Sequence, residues 1–259
     1  MKFEDLNQLK NKFVHYVGQF NSSNDSVQTH YNIKKHHTFR VIENIVELSQ
    51  NVLSTTSDRY LAEVIALFHD IGRFEQYNTY GSFSDINARN HAEIGVEVLK
   101  KEGFLKCFDK ETQQFIIDVI LLHNTPYLPK GLTPRKSLYA KLLRDADKLD
   151  IFKVVIDYDL KEGSENGLIP DKYTINDTIY NRFIRKTVVE IDMAEEKYDF
   201  YLLRLSWIFD LNFQTSFQLL DKRNYINYLF SRIPKSYRLN SIHSIVKEEL
   251  MSRIFSPVA

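Results

Sequence analysis

At 259 residues, with 43% hydrophobic and 13% aromatic content, the chain can bury a substantial core as one large domain or one domain with an elaboration. Lys+Arg and Asp+Glu both count 34, a balance that argues against gripping nucleic acid through bulk charge and leaves only a local basic patch open. The single cysteine, Cys107, excludes an intrachain disulfide, fits a reducing compartment and, beside Phe108, reads as a small buried apolar residue. The opening residues MKFEDLNQLKNKF are charged throughout and lack the apolar run of a secretory signal. The densest apolar stretch, Phe115 to Leu122, is interrupted by Asp118 and falls short of the roughly 20 residues a membrane span needs. These features predict a cytoplasmic protein with no membrane partner.

Only 8 Gly and 6 Pro predict an all-α fold rather than a turn-rich β architecture. Apolar spacing places helices at about residues 4–18, 29–52, 58–71, 89–101, 110–124 and 137–158. Phe39, Ile42, Ile45, Val46 and Leu48 form one apolar stripe; Leu61, Val64, Ile65 and Phe68 form another. Val96, Val98 and Leu99 precede Gly103, a helix stop, and Phe115, Ile116, Val119, Ile120 and Leu122 continue the pattern. Residues 72–88 and 124–136 read as loops longer than most connections, and each leaves a histidine-bearing helix end. Residues 161–173 (KEGSENGLIPDKY) read as a linker or exposed loop. Beyond it, Ile179, Phe183, Ile184, Tyr201, Leu202, Leu205, Trp207 and Ile208 recur at helical spacing without a catalytic motif. The expected organisation is a helical core over 1–160 and a C-terminal helical extension over 161–259, packed on that core as one unit.

The chemistry concentrates in an ordered series: His37, His69, Asp70, His91, His123 and Asp147. Imidazole with carboxylate suits Mn, Fe, Co, Ni or Zn better than Ca or Mg alone. Each residue also has a plain structural reading. His69 and Asp70 close the apolar segment LAEVIALFHD, where an adjacent His–Asp can simply cap a helix; yet a charged Asp at the end of a buried segment costs several kcal/mol unless paired or metal-bound. His37 shares a helical face with Arg40 and Val41, whereas His36 points elsewhere into solvent. His91 can be a first-turn residue, His123 a satisfied core histidine, and Asp147 part of a charged face with Asp145 and Asp150.

Taken in order, His37-x-x-Arg40-Val41, Leu67-Phe68-His69-Asp70-Ile71-Gly72-Arg73, His91, His123-Asn124 and Ala146-Asp147-Lys148-Leu149 resemble the HD-domain phosphohydrolase family over about residues 30–155. The resemblance implies an all-helical bundle around a metal, hydrolysing phosphate esters of small phosphorylated substrates, often nucleotides, by metal-activated hydroxide. It implies that His37, His69, Asp70 and Asp147 are the four metal ligands, and that His91 and His123 serve a second ion bridged by Asp70 or contact substrate beside one ion. One or two divalent transition metals are therefore expected, with Mg a further option. The Gly-Tyr-Pro signature that marks one cyclic-dinucleotide branch is absent after His123, and Asn124 stands where that branch has histidine. Arg73 is expected to clamp a phosphate oxygen, Lys148 to add positive charge or pair with Asp145, and Asp70 to act catalytically. Glu75, Asp85 and Asn124 are further pocket residues; Tyr77, Tyr80 and Phe83 either stack on a base or pack back on the fold. The competing readings are a catalytically silent metal- or nucleotide-binding module and a single-metal nucleotidase. A homo-oligomer is compatible with either.

Overall fold

The structure is a computed structural model, and it describes residues 6–86, 88–163 and 173–256. Among the described residues all regular structure is helical, as expected, and no helix is long and apolar enough to cross a membrane. The expected helix start at residue 4 and most of the expected linker lie outside the described residues. The chain forms two compact units, Met1–Asp147 and Lys148–Ala259. Their boundary falls inside a helix rather than at the glycine-bearing stretch after residue 160.

The first unit contains α1 (Leu6–Val17), α2 (Asp25–Ser49), α3 (Thr56–Phe68), α4 (Gly72–Tyr80), α5 (His91–Glu102), α6 (Lys110–Leu122) and the first half of α7 (Pro134–Gly163). Local chemistry sets these ends. Asn24, Thr55, Asn90 and Asp109 cap α2, α3, α5 and α6 by accepting hydrogen bonds from first-turn amides. Pro134 opens α7, where its missing N–H and fixed φ cost nothing. α2 and α3 pack along one another, and α4 packs on α5. Val41, Ile45 and Leu48 of α2, Val64, Ile65, Leu67 and Phe68 of α3, and Ile116, Val119 and Ile120 of α6 make the core, nearly all of them with no exposed surface. Each such side chain contributes about 1.5–3 kcal/mol. That core is built without any side chain of the polar cluster described below.

Three expectations change. Residues 72–80 are not loop but α4, because Phe74 packs fully buried near the rings of Phe13 and Phe20, each at 6.0 Å between centroids, and Gly81 at φ +64° closes the helix. Tertiary packing here overrides a polar, glycine-bearing composition. Val46 and Ile184, read as core, are 37% and 51% exposed, since each lies at the edge of its apolar stripe. Cys107 is half-buried rather than buried, with its thiol 3.9 Å from the Phe104 carbonyl oxygen.

The second unit continues α7 and adds α8 (Asp177–Ile184), α9 (Lys197–Ser206), α10 (Gln214–Lys222), α11 (Tyr225–Ser231) and α12 (Tyr237–Ile254). Ile179, Phe183, Leu202, Leu205, Phe217, Leu220, Leu229, Ile242 and Val246 form its core. One buried carboxylate, Asp159, is ringed by donors: the hydroxyls of Tyr201 and, at 2.7 Å, Tyr228, and Arg232 Nε at 2.7 Å. Lys148 Nζ, expected near a phosphate, donates to Asp210 Oδ2 at 2.7 Å within this unit.

Candidate metal centre

Four helix ends and two helix interiors deliver the six expected residues to one buried place in the first unit. His69 and Asp70 follow α3 at the tight junction with α4, where Ile71 and Arg73 amides bond the Phe68 and Asp70 carbonyls. His91 starts α5 and His123 ends α6. His37 projects from the middle of α2, and Asp147 from α7. Asn44, seven residues beyond His37 on the same helix, donates to the Ala146 carbonyl at 2.9 Å and so fixes α7 beside Asp147. Gly72 decides the approach of α4 to α5. A Cβ there would lie 2.1 Å from the His91 carbonyl oxygen and 2.4 Å from the Gly95 nitrogen, so only glycine lets the two backbones meet. This is the physical reason for glycine directly after His69-Asp70-Ile71.

Asp70 stands at the centre and its two oxygens face different ways. Oδ2 lies 3.5 Å from His37 Nε2 and 3.8 Å from His69 Nε2, while Oδ1 lies 3.2 Å from His91 Nε2 and 3.8 Å from His123 Nε2. Asp147 Oδ1 completes the first side, at 3.1 Å from His37 Nε2 and 3.8 Å from His69 Nε2. Two donors bound to one ion at about 2.1 Å sit roughly 3–3.5 Å apart, which is close to these spacings. Among the described residues, His37–His69–Asp70 and Asp70–His91–His123 are each grouped tightly enough to hold a metal ion, with every member buried.

The tautomers fit the same chemistry. His69 Nδ1 faces the Ala66 carbonyl at 2.8 Å and His123 Nδ1 faces the Ile120 carbonyl at 2.5 Å. His91 Nδ1 faces both Asp85 oxygens at 2.9 and 2.8 Å. Carbonyls and carboxylates only accept, so each of these Nδ1 atoms carries a proton and each ring turns its Nε2 into the cluster. Among the described residues, the buried His69 Nε2 has no hydrogen-bond partner. His91 and His123 bring their Nε2 atoms within 2.9 Å of each other, a spacing that two ligands of one cation would also have. Burial pushes the His123 imidazole down to about 4, so it is the neutral, ligating form at physiological pH. Burial alone would raise the Asp70 carboxyl; the Lys34 ammonium and the surrounding imidazoles outweigh it and hold Asp70 well below the usual carboxylate range. Asp147 is held down in the same way, against burial, by His37 and His69. The residues present therefore suit a divalent transition metal.

Other expected residues take different places. Arg73 Nη1 is engaged by the Phe83 carbonyl at 2.5 Å, Gln76 Oε1 at 2.9 Å and Asp85 Oδ1 at 3.2 Å. Its Nε remains 3.5 Å from Asp70 Oδ1. Asn124 donates to the Asn90 side chain at 2.9 Å and thereby ties the end of α6 to the start of α5. Tyr77 stacks on His30 at 4.9 Å between centroids and packs on Phe83 at 4.6 Å, so both rings pack within the fold, whereas Tyr80 is 43% exposed. Glu75 is half-buried on α4.

Lys34 was not among the expected residues. Its ammonium lies 2.8 Å from Asp70 Oδ2 and 5.4 Å from the centre of the Phe83 ring. The signal was present, since Lys34 precedes His37 by three residues and so shares its helical face. It was obscured by the neighbouring Lys35 and His36, which look equivalent in the sequence. Arg144 was also missed: it is 5% exposed and its guanidinium bonds the carbonyls of His123, Thr125 and Pro126 at 3.2, 2.5 and 3.2 Å. No local pattern announces an arginine whose partners are carbonyls about 20 residues away.

Residues 35–151 match the family model for the HD domain. No curated protein and no solved structure matches the chain significantly. The matched segment contains all six clustered residues and coincides closely with the span of the sequence resemblance. Residues 35–151 thus match the HD domain, a family of mostly metal-dependent hydrolases with some non-catalytic members, and their buried His/Asp cluster is consistent with that family's metal-binding site.

Proposed function

We propose that this HD domain is a metal-dependent phosphohydrolase that cleaves a phosphate ester, either a phosphomonoester or a phosphodiester of nucleotide type. In this reading His37, His69, Asp70 and Asp147 hold one divalent transition metal, and Asp70, His91 and His123 hold a second. The observation that carries it is the division of Asp70: one buried carboxylate turns Oδ2 to one ligand set and Oδ1 to another. A binding module needs only one held cation, whereas two adjacent sets sharing a carboxylate suit in-line displacement at phosphorus. Metal bound there would supply Lewis acidity, a water of lowered pKa and neutralisation of phosphate charge.

The chain's own residues do the remaining work. The backbone carbonyls of Ala66 and Ile120 orient His69 and His123. Lys34 Nζ, at 2.8 Å from Asp70 Oδ2 and with 18% of its side chain exposed, is the cation placed to meet a phosphate oxygen. Arg73 lies beside the same carboxylate, but its Nη1 is spent on Phe83, Gln76 and Asp85, so it supports the site more than it reaches outward.

The test is elemental analysis of the purified protein, followed by turnover of phosphomonoesters, phosphodiesters and nucleotides with Mn, Co, Ni and Mg. Two ions per chain with metal-dependent release of phosphate or nucleoside monophosphate is the expected result. Stoichiometric metal without turnover of any ester would make the domain a binding module, and one ion per chain with turnover would make it a single-metal nucleotidase.

A further inference from the structure

Three histidines of the cluster have a visible orienting partner on Nδ1, and one partner is of a different kind. His69 and His123 give Nδ1–H to backbone carbonyls, at 2.8 and 2.5 Å. His91 gives it to a carboxylate, Asp85, which lies 2.9 and 2.8 Å away through its two oxygens and also accepts the His91 backbone N–H at 3.1 Å. Asp85 is no ligand of the cluster itself, since it binds the outward face of the ring. It is held by a built frame. Gln76, fully buried on α4, donates to Asp85 Oδ1 at 2.8 Å and to the Arg89 carbonyl at 2.8 Å. Arg73 Nη1 reaches Asp85 Oδ1 at 3.2 Å and the Phe83 carbonyl at 2.5 Å. The connection from α4 to α5 is thus fastened at Phe83, Asp85 and Arg89 by two side chains of one helix.

From this geometry we infer that Asp85 is the positioning residue of the His91–His123 half of the centre, and that this half depends on a carboxylate outside the ligand set to hold its cation. A carboxylate on Nδ1 fixes the tautomer and ring angle of His91 and raises the basicity of Nε2, which a neutral carbonyl does more weakly. It also adds one negative charge beside a half-site that otherwise has only Asp70, whereas the other half has both Asp70 and Asp147. Arg73 then acts on the centre through Asp85 as well as directly, its Nε lying 3.5 Å from Asp70 Oδ1. The inference rests on the two-cation reading above.

The experiment is calorimetric titration of metal-free protein with Co2+, read together with visible absorption, for the wild type, Asp85→Asn and Asp85→Ala. The side chain is 31% exposed, so neither change opens a sealed cavity, and thermal melting of each metal-free variant serves as the folding control. The expected result is two equivalents in the wild type. The first should be held within about twofold in all three proteins, and the second weakened about 10–100-fold in Asp85→Ala and less in Asp85→Asn, which keeps an acceptor but loses the charge. Variants that bind both equivalents with wild-type affinity overturn the inference and leave the two-cation reading standing. So do variants that lose both equivalents in parallel, because Asp85 would then hold the whole fold of the centre. A wild type that takes up a single equivalent overturns the two-cation reading itself.

Discussion

Asp70 in the first unit and Asp159 in the second are each 3% exposed, and each carboxyl is held below its ordinary range although burial pulls the other way. What surrounds them differs. Asp159 is met by groups that can only satisfy it: the hydroxyls of Tyr201 and Tyr228, Arg232 at 2.7 Å and Lys197 at 3.8 Å. Donors and acceptor close on themselves and nothing further is called for. Asp70 has two such partners, Lys34 at 2.8 Å and Arg73 at 3.5 Å, and is otherwise faced by imidazole Nε2 atoms, three of whose rings hold a proton on Nδ1. Four imidazole Nε2 atoms converging on one carboxylate make a set of metal-type donor atoms, which Asp159 lacks. A buried acid is thus read as structural or functional from the kind of group that surrounds it, not from its own burial.

The largest effect that tests this contrast is expected for Asp70→Ala. The core residues that carry the fold are untouched, so the protein should fold, yet metal content should fall to background and ester turnover by about a thousandfold, the order that follows from losing several kcal/mol of charge stabilisation. An Asp70→Ala protein with full metal and normal turnover would erase the distinction between the two acids. Gly72→Ala comes next. A Cβ 2.1 Å from the His91 carbonyl oxygen has to push α4 from α5, at a cost of about 3 kcal/mol in denaturant unfolding, and it should loosen the second metal equivalent because His91 starts α5.

Asp159→Asn should show the opposite character: a loss of about 2–3 kcal/mol in unfolding free energy with metal content unchanged. Its pH dependence follows from the sign of the shift. The folded carboxyl titrates below its unfolded value near 3.9, so the charged form's contribution is complete above that value and fades as pH falls through the lower, folded value. The gap between wild type and Asp159→Asn in urea unfolding should therefore be full at pH 7 and close as the solution is taken below about pH 4. A gap that widened in acid would mean that Asp159 is not a satisfied anion.

The smallest effects distinguish two lysines. Lys34→Met should lower kcat/KM about 10–100-fold while both metals stay, the value of one charge-assisted hydrogen bond to a phosphate oxygen. Lys148→Met, whose ammonium is spent on Asp210, should change turnover less than about twofold and stability by no more than about 1 kcal/mol. Equal losses from the two lysines would remove Lys34 from the site.

The sequence alone determined the all-helical class, the six residues that cluster and, for His69, Asp70, His91 and His123, their place at helix ends. Apolar spacing and an ordered run of His and Asp in recognisable contexts are local properties, legible without coordinates. Tertiary structure decided the rest. Residues 72–80 became helix because Phe74 found aromatic partners from α1 and the turn after it. Lys34 rather than Lys148 reached Asp70, because the face of α2 that carries His37 also carries Lys34, while Lys148 follows Asp147 by one position and points about 100° away. Asp85 and Arg144 acquired their roles from partners across loops, and Gly72 from a backbone 20 residues on. A hydrogen bond depends on where two groups meet in space, and the chain records only the groups. The identity of a ligand can therefore be read from its neighbours in sequence, but the residue that orients it is chosen by the fold.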